Sequence, residues 1–289
     1  DFDGDGHSGD LLLRSTSGLS AIWDLNGTSI AGAGLLPALP ASWQVQGTGD
    51  FDGDGKSDIL WRYVDGSVAV WLMNGGTVVS SLGAGVAAAG WRIVGTGDFD
   101  GDGETDILWE YTDGTLAIWF MNGGTVASIV NIGAAAAGSE VVGTGDFNGD
   151  GKADILWHHS DGSVALWLMN GGTVTASLAV GSAPAGWTIV GTGDFNGDGK
   201  SDILWMYSDG SVATWLMNGA TVTSSLGVGV AAPDWLVAGT ADFNGDGKTD
   251  ILWHYATGTA AIWLMNGGAV SLSSDLGAGS APTSWAIVE

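Results

Sequence analysis

The sequence of 289 residues predicts an all-β fold built from repeats, and three observations lead to that prediction. An acidic string, Asp-Phe-(Asp or Asn)-Gly-Asp-Gly, recurs along the whole chain. Short runs rich in β-branched and aromatic residues separate its copies, and no segment keeps a helical period. The strings begin at Asp1, Asp50, Asp98, Asp146, Asp194 and Asp242. One domain is therefore predicted, with repeats 1–49, 50–97, 98–145, 146–193, 194–241 and 242–289.

Each repeat carries the signals of four short strands, as repeat 2 illustrates. Residues 58–63 form a β-branched and aromatic run, and a turn leads to a second run at 67–73. Asn and Gly at 74–76 supply the positive φ of a tight hairpin, which leads to a third run at 77–82. After a connection rich in Gly and Ala, the fourth run starts at 91 and continues into the next acidic string.

Four strands in a repeat of this length are typical of a β-propeller blade, since a solenoid coil has one or two strands in a shorter repeat. The sequence thus predicts a six-bladed β-propeller of four-stranded antiparallel blades. The chain ends in an inner-strand sequence, 285–289, and begins without one, so this segment is predicted to close the ring in the first blade. Two residues of the repeat are missing at that junction. A ring of seven blades with one repeat lost is the alternative.

The amino-acid composition of the chain limits the classes of partner that it is expected to bind. The 32 Asp and Glu outnumber the 7 Lys and Arg, which gives a formal charge of −25, while 45% of the residues are apolar. So large an apolar share excludes an acidic disordered chain. The negative charge argues against binding to nucleic acid, and no apolar stretch approaches the roughly 20 residues of a membrane span, so membrane insertion is not expected. The chain has no Cys, which excludes disulfides.

The acidic strings have the spacing of a cation-binding loop. Carboxylates occur at positions one, three, five and nine, with Gly at six, much as at the start of an EF-hand loop. Two carboxylates about 4 Å apart repel by about 4 kcal/mol at an effective dielectric constant near 20, so four of them need a counter-ion. Oxygen ligands without His or Cys side chains favour Ca²⁺. The alternative is a set of solvated acidic turns.

Up to six Ca²⁺ ions are predicted, one in each repeat. In each loop, the residue at position seven is expected to bind the ion through its backbone carbonyl, and the carboxylate at position nine completes the set of ligands. Asn at position three removes one charge in repeats 4 to 6, and the inserted Gly9 makes repeat 1 irregular. The predicted ligands are Asp1, Asp3, Asp5, His7 and Asp10; Asp50, Asp52, Asp54, Lys56 and Asp58; Asp98, Asp100, Asp102, Glu104 and Asp106; Asp146, Asn148, Asp150, Lys152 and Asp154; Asp194, Asn196, Asp198, Lys200 and Asp202; and Asp242, Asn244, Asp246, Lys248 and Asp250.

The motif Asp-Phe-Asx-Gly-Asp-Gly-x-x-Asp-Ile-Leu-Trp resembles the FG-GAP or VCBS repeat family, which includes the integrin α-chain propeller and calcium-binding fungal lectin propellers. The resemblance implies a propeller with Ca²⁺ in the loop between the first and second strands of a blade. It also implies extracellular adhesion or carbohydrate recognition. Such relatives often have seven blades, and the six counted here depart from that number. Extracellular calcium modules bind with dissociation constants of about 0.1 to 1 mM, so a secreted or cell-surface location is expected.

The 16 Trp fall mainly into three columns of the repeat. Those through Trp71 and Trp61 are assigned to packing between blades, with Leu13 in the Trp61 column of repeat 1. The third column is expected at the rim opposite the calcium loops and has a better case as a ligand site than the other two, because indole faces hold apolar sugar faces. Plain packing remains the alternative for it. The column through Arg62 varies among the repeats, which suggests that packing does not fix it. The candidate ligand residues are Trp43, Trp91, Trp187, Trp235, Trp285, Arg62, Tyr63 and His158.

Three functions remain open from the sequence. The first is a secreted calcium-binding propeller that binds carbohydrate or a cell-surface protein multivalently. The second is a structural or protein-interaction module in which calcium only stabilises the blades. A polysaccharide-degrading enzyme is the third, and catalysis is not expected, because near-identical repeats offer copies of one surface rather than unlike catalytic groups converging on one point.

Overall fold

The computed structural model of the protein describes residues 1–7, 9–255, 258–276 and 285–288. Within them the chain forms 24 strands in six antiparallel sheets of four. In chain order the strands are β1 (Leu11–Ser15), β2 (Ser20–Asn26), β3 (Ser29–Leu35), β4 (Trp43–Gly49), β5 (Asp58–Tyr63), β6 (Ser67–Asn74), β7 (Thr77–Val86), β8 (Trp91–Gly97), β9 (Asp106–Tyr111), β10 (Thr115–Asn122), β11 (Thr125–Ala134), β12 (Ser139–Gly145), β13 (Asp154–His159), β14 (Ser163–Asn170), β15 (Thr173–Ser182), β16 (Trp187–Gly193), β17 (Asp202–Tyr207), β18 (Ser211–Asn218), β19 (Thr221–Val230), β20 (Trp235–Ala241), β21 (Asp250–Tyr255), β22 (Ala260–Asn266), β23 (Ala269–Asp275) and β24 (Trp285–Ile287).

These sheets are the six blades of a β-propeller, which confirms the predicted fold. Blades 2 to 6 each use four consecutive strands, from β4–β7 to β20–β23. Blade 1 has the order β24-β1-β2-β3, with Leu13 opposite Ile287 and Ser15 opposite Trp285. The C-terminal strand therefore closes the ring as predicted, and Glu289, the last residue of the predicted strand, lies outside the described residues.

Strand bounds in blade 2 follow the sequence prediction closely, with one difference. The outer strand β7 reaches Val86 instead of ending at Leu82. A register shift between Val68 and Ala69 inserts a bulge, and Gly85, at φ 139°, lets the strand continue beyond it. The connection that looked like a loop is thus partly strand, and it reaches the neighbouring blade, where Gly85 approaches Trp119.

The hydrophobic core lies in the seams between blades rather than within single blades. Phe51 and Val68 of blade 2, for example, pack in one cluster with Ile107, Trp109 and Trp119 of blade 3. The Trp of the Trp61 column are at most 2% exposed, and each makes a tilted ring contact with the Trp71-column indole of its own blade at 4.8 to 5.0 Å between ring centroids. The packing role predicted for these two columns is confirmed.

Hydroxyl groups link the innermost strands around the central channel. Thr144 Oγ1 donates to the Thr96 carbonyl at 2.7 Å, and the same bond joins Thr192 to Thr144 and Thr240 to Thr192. Neighbouring glycines are required there, since a Cβ on Gly95 would lie 2.7 Å from Thr144 Cγ2. Among the described residues, no helix has the length and apolar character needed to cross a bilayer.

Candidate functional site

The acidic loops lie at one rim of the propeller, each between the innermost and second strands of a blade. In loop 2, Asp50 Oδ1 accepts hydrogen bonds from the backbone N–H groups of Gly53 at 2.7 Å and Asp54 at 3.1 Å. Its Oδ2 accepts one from Gly55 at 2.8 Å. Gly53 and Gly55 have φ of 74° and 84°, which a residue with a side chain rarely adopts. The loop therefore wraps around the position-one carboxylate.

The predicted ligands converge in this geometry. Carboxylate oxygens of Asp50, Asp52 and Asp58 all lie within 4.8 Å of one another. The matching trio in loop 3 is Asp98, Asp100 and Asp106, whereas the trio in loop 1 comprises positions one, three and five, Asp1, Asp3 and Asp5. The predicted ligands Asp10, Asp54 and Asp102 lie outside these trios. In loops 4 and 6 the position-three amide also reaches position nine, since Asn148 Nδ2 is 3.3 Å from Asp154 Oδ2 and Asn244 Nδ2 is 3.4 Å from Asp250 Oδ2.

Position nine is tied to the backbone on both oxygens, which the sequence did not reveal. Asp58 Oδ2 accepts the N–H of Phe51 at 2.9 Å, and Oδ1 accepts the N–H of Met73 on β6 at 2.8 Å. Burial raises the pKa of this carboxyl to about 7, and the negative charges of nearby carboxylates also raise it. The two N–H hydrogen bonds act in the opposite direction, because they stabilise the ionised form. The same two bonds and the same pKa recur at Asp106, Asp154, Asp202 and Asp250.

Loop 1 accommodates its insertion without losing this arrangement. Asp10 accepts the N–H groups of Phe2 at 2.8 Å and Leu25 at 2.9 Å, as its counterparts do. The inserted Gly9 packs against the ring of Phe243, where a Cβ would lie 2.0 Å from a ring carbon. Asp10 is therefore the position-nine residue of loop 1, as the sequence alignment assumed.

The donor set fits a hard cation. It consists of oxygen atoms, and in loops 1 to 3 three carboxylates converge around one point. The only ion pair that Lys56 makes among the described residues is with Asp54, at 3.2 Å, which leaves the other carboxylates of loop 2 without a neutralising partner of that kind. Ca²⁺ would be held by Asp50, Asp52, Asp54, Asp58 and the backbone carbonyl of Lys56, and by the matching residues of the other loops.

Adjacent loops contact each other across every described seam from blade 1 to blade 6. The position-eight N–H of one loop donates to the position-one carbonyl of the preceding loop, as from Thr105 to Asp50 at 2.6 Å. The hairpins of blades 1 to 5 also donate to the preceding loop, as from Gly124 N to the Phe51 carbonyl at 2.8 Å. Sequence reasoning missed these contacts because they join residues about one repeat apart. The other position-eight donors are Ser57, Ala153, Ser201 and Thr249.

The third Trp column lies at the opposite rim, half-buried against Tyr. The ring centroids of Trp43 and Tyr63 are 5.2 Å apart, and those of Trp91 and Tyr111 are 5.3 Å apart. Trp187 and Trp235 stack in the same way on Tyr207 and Tyr255. Trp285 instead lies opposite Ser15 across its strand pair. Each Tyr occupies part of an indole face, so the column offers less free aromatic surface than the sequence suggested.

The Arg62 column is positioned by packing, which corrects the sequence interpretation. The Arg62 guanidinium lies 5.2 Å from the centroid of Trp109 in the next blade, and Arg14 lies 4.7 Å from that of Trp61. His158 meets Trp205 edge-on at 6.5 Å. These three side chains differ in chemistry but each contacts a buried indole at a seam, whereas Glu110 at the same position of blade 3 pairs with Arg92 at 2.6 Å.

The structure adds a cleft that the sequence did not predict. It lies between blades 5 and 6 and has a volume of about 190 Å³. Trp235 and Trp263 contribute half-buried indoles, buried Trp253 adds a third, and the exposed side chains of Ser273 and Asp275 supply polar groups. A counterpart on blade 1 has apolar residues at the matching positions, with Leu13 for Trp253, Ala33 for Ser273 and Leu35 for Asp275.

The raised pKa values predict that the calcium-free protein gains stability on mild acidification. The position-nine carboxyl has a pKa of about 7 in the folded state and an ordinary value of 3.8 in the unfolded state. At a pH between these two values it is therefore more protonated in the folded state than in the unfolded state. Stability therefore falls as pH rises from about 4 to about 7. In EDTA, the melting temperature should be higher at pH 5.5 than at pH 7.5. A melting temperature that stays constant or rises over this interval would contradict the buried, uncompensated state of these carboxyls.

Fold and loops together define a six-bladed propeller whose blades each carry an acidic loop at one rim. The model of the FG-GAP-like repeat matches residues 50–109, 98–157, 146–205 and 194–253, which is more than half of the chain. The chain belongs to the FG-GAP-like repeat family. Such propellers are typically non-catalytic interaction domains, and the findings place this one among structural and protein-interaction propellers.

Solved structures similar to this chain include the following two. One, described as BBS1N in complex with ARL6DN, soaked with mercury, has a TM-score of 0.51 at 13% identity, covering 94% of this chain and 77% of that chain. The C-terminal WD40 domain of Sif2 has a TM-score of 0.45 at 14% identity, covering 91% of this chain and 82% of that chain. The former likeness concerns the fold alone. A search of the curated proteins finds no significant match.

Proposed function

We propose that the protein is a calcium-binding propeller that acts outside the cell as a multivalent module for carbohydrate or a cell-surface partner. The observation that carries the calcium part is the convergence of carboxylate oxygens within 4.8 Å in loops 1 to 3. Loops 4 to 6 repeat the spacing with Asn at position three. Weak loops of this type fill at extracellular calcium concentrations, which supports action outside the cell.

In this proposal, hydrogen bonds within each loop hold its carboxylates in place, and hydrogen bonds between each loop and the next blade couple the loops to the rest of the propeller. The position-one carboxylate gathers three backbone N–H groups, and position nine fixes the loop to the third strand of the blade. A bound Ca²⁺ supplies positive charge that relieves the repulsion among these carboxylates. Because each loop is hydrogen-bonded to the next blade, ordering the loops stabilises the seams that contain the core.

The carbohydrate part of the proposal is supported by the cleft between blades 5 and 6. Two half-buried indoles, Trp235 and Trp263, flank a space large enough for about one sugar ring, and Ser273 and Asp275 bring hydroxyl and carboxylate groups to it. Aromatic faces with nearby hydrogen-bonding groups suit a pyranose, which has apolar faces and polar edges. The Trp–Tyr pairs of the same rim provide repeated, weaker surfaces, which suits multivalent binding.

Two substitutions test the cleft. Trp235→Ala removes an indole wall, and Asp275→Leu gives the cleft the residue found in its blade 1 counterpart. Each should weaken binding to a responding glycan at least tenfold on a glycan array and by calorimetry, since stacked aromatic and charged contacts dominate such sites. Asp209→Ala, at an exposed turn where Asp209 accepts the Ser211 N–H, is the matched control and should bind normally.

If folded wild-type protein with calcium present bound no glycan on the array, carbohydrate binding would be rejected. The alternative would then stand, a structural or protein-interaction propeller with calcium only stabilising the blades. Membership of the FG-GAP-like repeat family favours that alternative, because propellers of this family are typically interaction domains.

A further inference from the structure

We propose that the side chain at position seven of each acidic loop tunes the calcium affinity of the preceding loop as well as of its own, and that Glu104, at the seam between loops 2 and 3, makes these two loops the first to fill. This inference rests on the proposed calcium binding. From the sequence, Glu104 belongs to loop 3, where only its backbone carbonyl was expected to act. The structure instead puts its side chain at the seam with loop 2.

The position-seven side chain of one loop lies over the position-four Gly of the loop before it. A Cβ added to Gly53 of loop 2 would be 3.4 Å from Glu104 Cγ and 3.9 Å from its Oε1. Lys152 lies in the same way over Gly101, with its Cε at 3.2 Å and Nζ at 3.5 Å. The full set of pairs is Lys56 over Gly4, Glu104 over Gly53, Lys152 over Gly101, Lys200 over Gly149, Lys248 over Gly197 and His7 over Gly245.

Backbone bonds hold the Glu104 side chain at this seam. The neighbouring Thr105 N–H donates to the carbonyl of Asp50, the position-one residue of loop 2, at 2.6 Å. Glu104 Oε2 accepts the N–H of Gly123 at 2.7 Å, and the adjacent Gly124 donates to the carbonyl of Phe51 in loop 2. The carboxylate is thus anchored from two sides next to loop 2.

Charge makes this seam different from the other five. Four seams carry Lys and one carries His at position seven, whereas the seam between loops 2 and 3 carries a carboxylate. Lys56 and Lys248 also pair with position five of their own loops, at 3.2 and 3.5 Å. Glu104 cannot form such a pair with Asp102. Loops 1, 2 and 3 all keep four acidic ligands, but only loops 2 and 3 flank the Glu104 carboxylate, so these two form the most acidic part of the rim.

Glu104→Lys tests the proposal by reversing one charge. A divalent ion near the seam would feel a change of two charge units, which we expect to weaken the tightest calcium sites about tenfold at moderate ionic strength. Calorimetric titration of wild-type protein should show a high-affinity phase of about two ions, lost in the variant. The reciprocal change Lys152→Glu should raise the affinity of loop 3 and so strengthen that phase.

The most direct test adds Glu104→Lys to a variant in which Asp100→Asn and Asp102→Asn already lower the calcium affinity of loop 3. In that variant the high-affinity phase should fall to about one ion, in loop 2, and adding Glu104→Lys should abolish that remaining phase. A phase of one ion that survives Glu104→Lys would overturn the proposal, because the side chain would then act on its own loop alone. Unchanged melting in EDTA shows that each variant folds. Wild-type protein that binds no calcium would instead reject the proposed function.

Discussion

Removing calcium with EDTA is expected to lower the melting temperature by about 15 to 25 °C relative to protein in 10 mM CaCl₂. For dissociation constants of about 0.1 to 1 mM, each filled loop adds about 1.4 to 2.7 kcal/mol to the free energy of unfolding. Six loops together add about 8 to 16 kcal/mol. With an unfolding entropy of about 2.1 cal/mol/K per residue, this corresponds to the stated shift. Differential scanning calorimetry at pH 7.5 measures it.

The control for this experiment is magnesium, which demands near-octahedral geometry and keeps its waters. MgCl₂ at the same concentration should recover only a small part of the lost melting temperature. Identical melting curves in EDTA, Mg²⁺ and Ca²⁺ would contradict calcium binding. The acidic strings would then be solvated turns held by their internal hydrogen bonds.

Asp58→Ala is expected to destabilise the protein by about 3 to 5 kcal/mol in EDTA at pH 5.5, where the raised pKa keeps the buried carboxyl largely protonated and its removal relieves little buried charge. The substitution leaves the buried N–H groups of Phe51 and Met73 without their acceptor, and each such loss costs about 1 to 3 kcal/mol. The melting temperature should fall by about 5 to 8 °C, since the unfolding entropy is large for a chain of this length. Urea unfolding in EDTA measures the free energy directly.

Asp65→Ala is the matched control, because Asp65 is exposed in a turn, where it accepts the N–H of Ser67 at 2.8 Å. It should cost about 1 kcal/mol or less. If Asp58 served only as a metal ligand, its substitution would be harmless in EDTA and would matter only with calcium present. That result would contradict the structural role of position nine.

The repeat made the architecture predictable. Because the acidic string recurs at nearly constant spacing, the blade count, the strand order and closure by residues from Trp285 onward all followed from the sequence. The carboxylates that converge in the loops were also predictable, since their spacing along one turn fixes where they point. The extension of β7 to Val86 was not, because it depends on a bulge whose glycine reads as a loop signal.

What the sequence could not show lies between the blades. Glu104 reaches loop 2 and Arg62 covers Trp109 because the ring brings together residues about one repeat apart, and no local pattern encodes those contacts. The second role of Asp58 was hidden for a related reason, since its partner Met73 lies 15 residues away on another strand. In a repeat protein, a function that depends on contacts between neighbouring repeats can therefore be recognised only from the structure.

The number of calcium ions bound per chain tests the central claim most directly. Equilibrium dialysis against radioactive calcium at pH 7.5, carried to saturation, is predicted to give about six ions per chain, and about five after Asp52→Asn and Asp54→Asn in loop 2. Saturation at zero ions, or at a number unchanged by the loop 2 substitutions, would contradict the assignment of these loops as calcium sites.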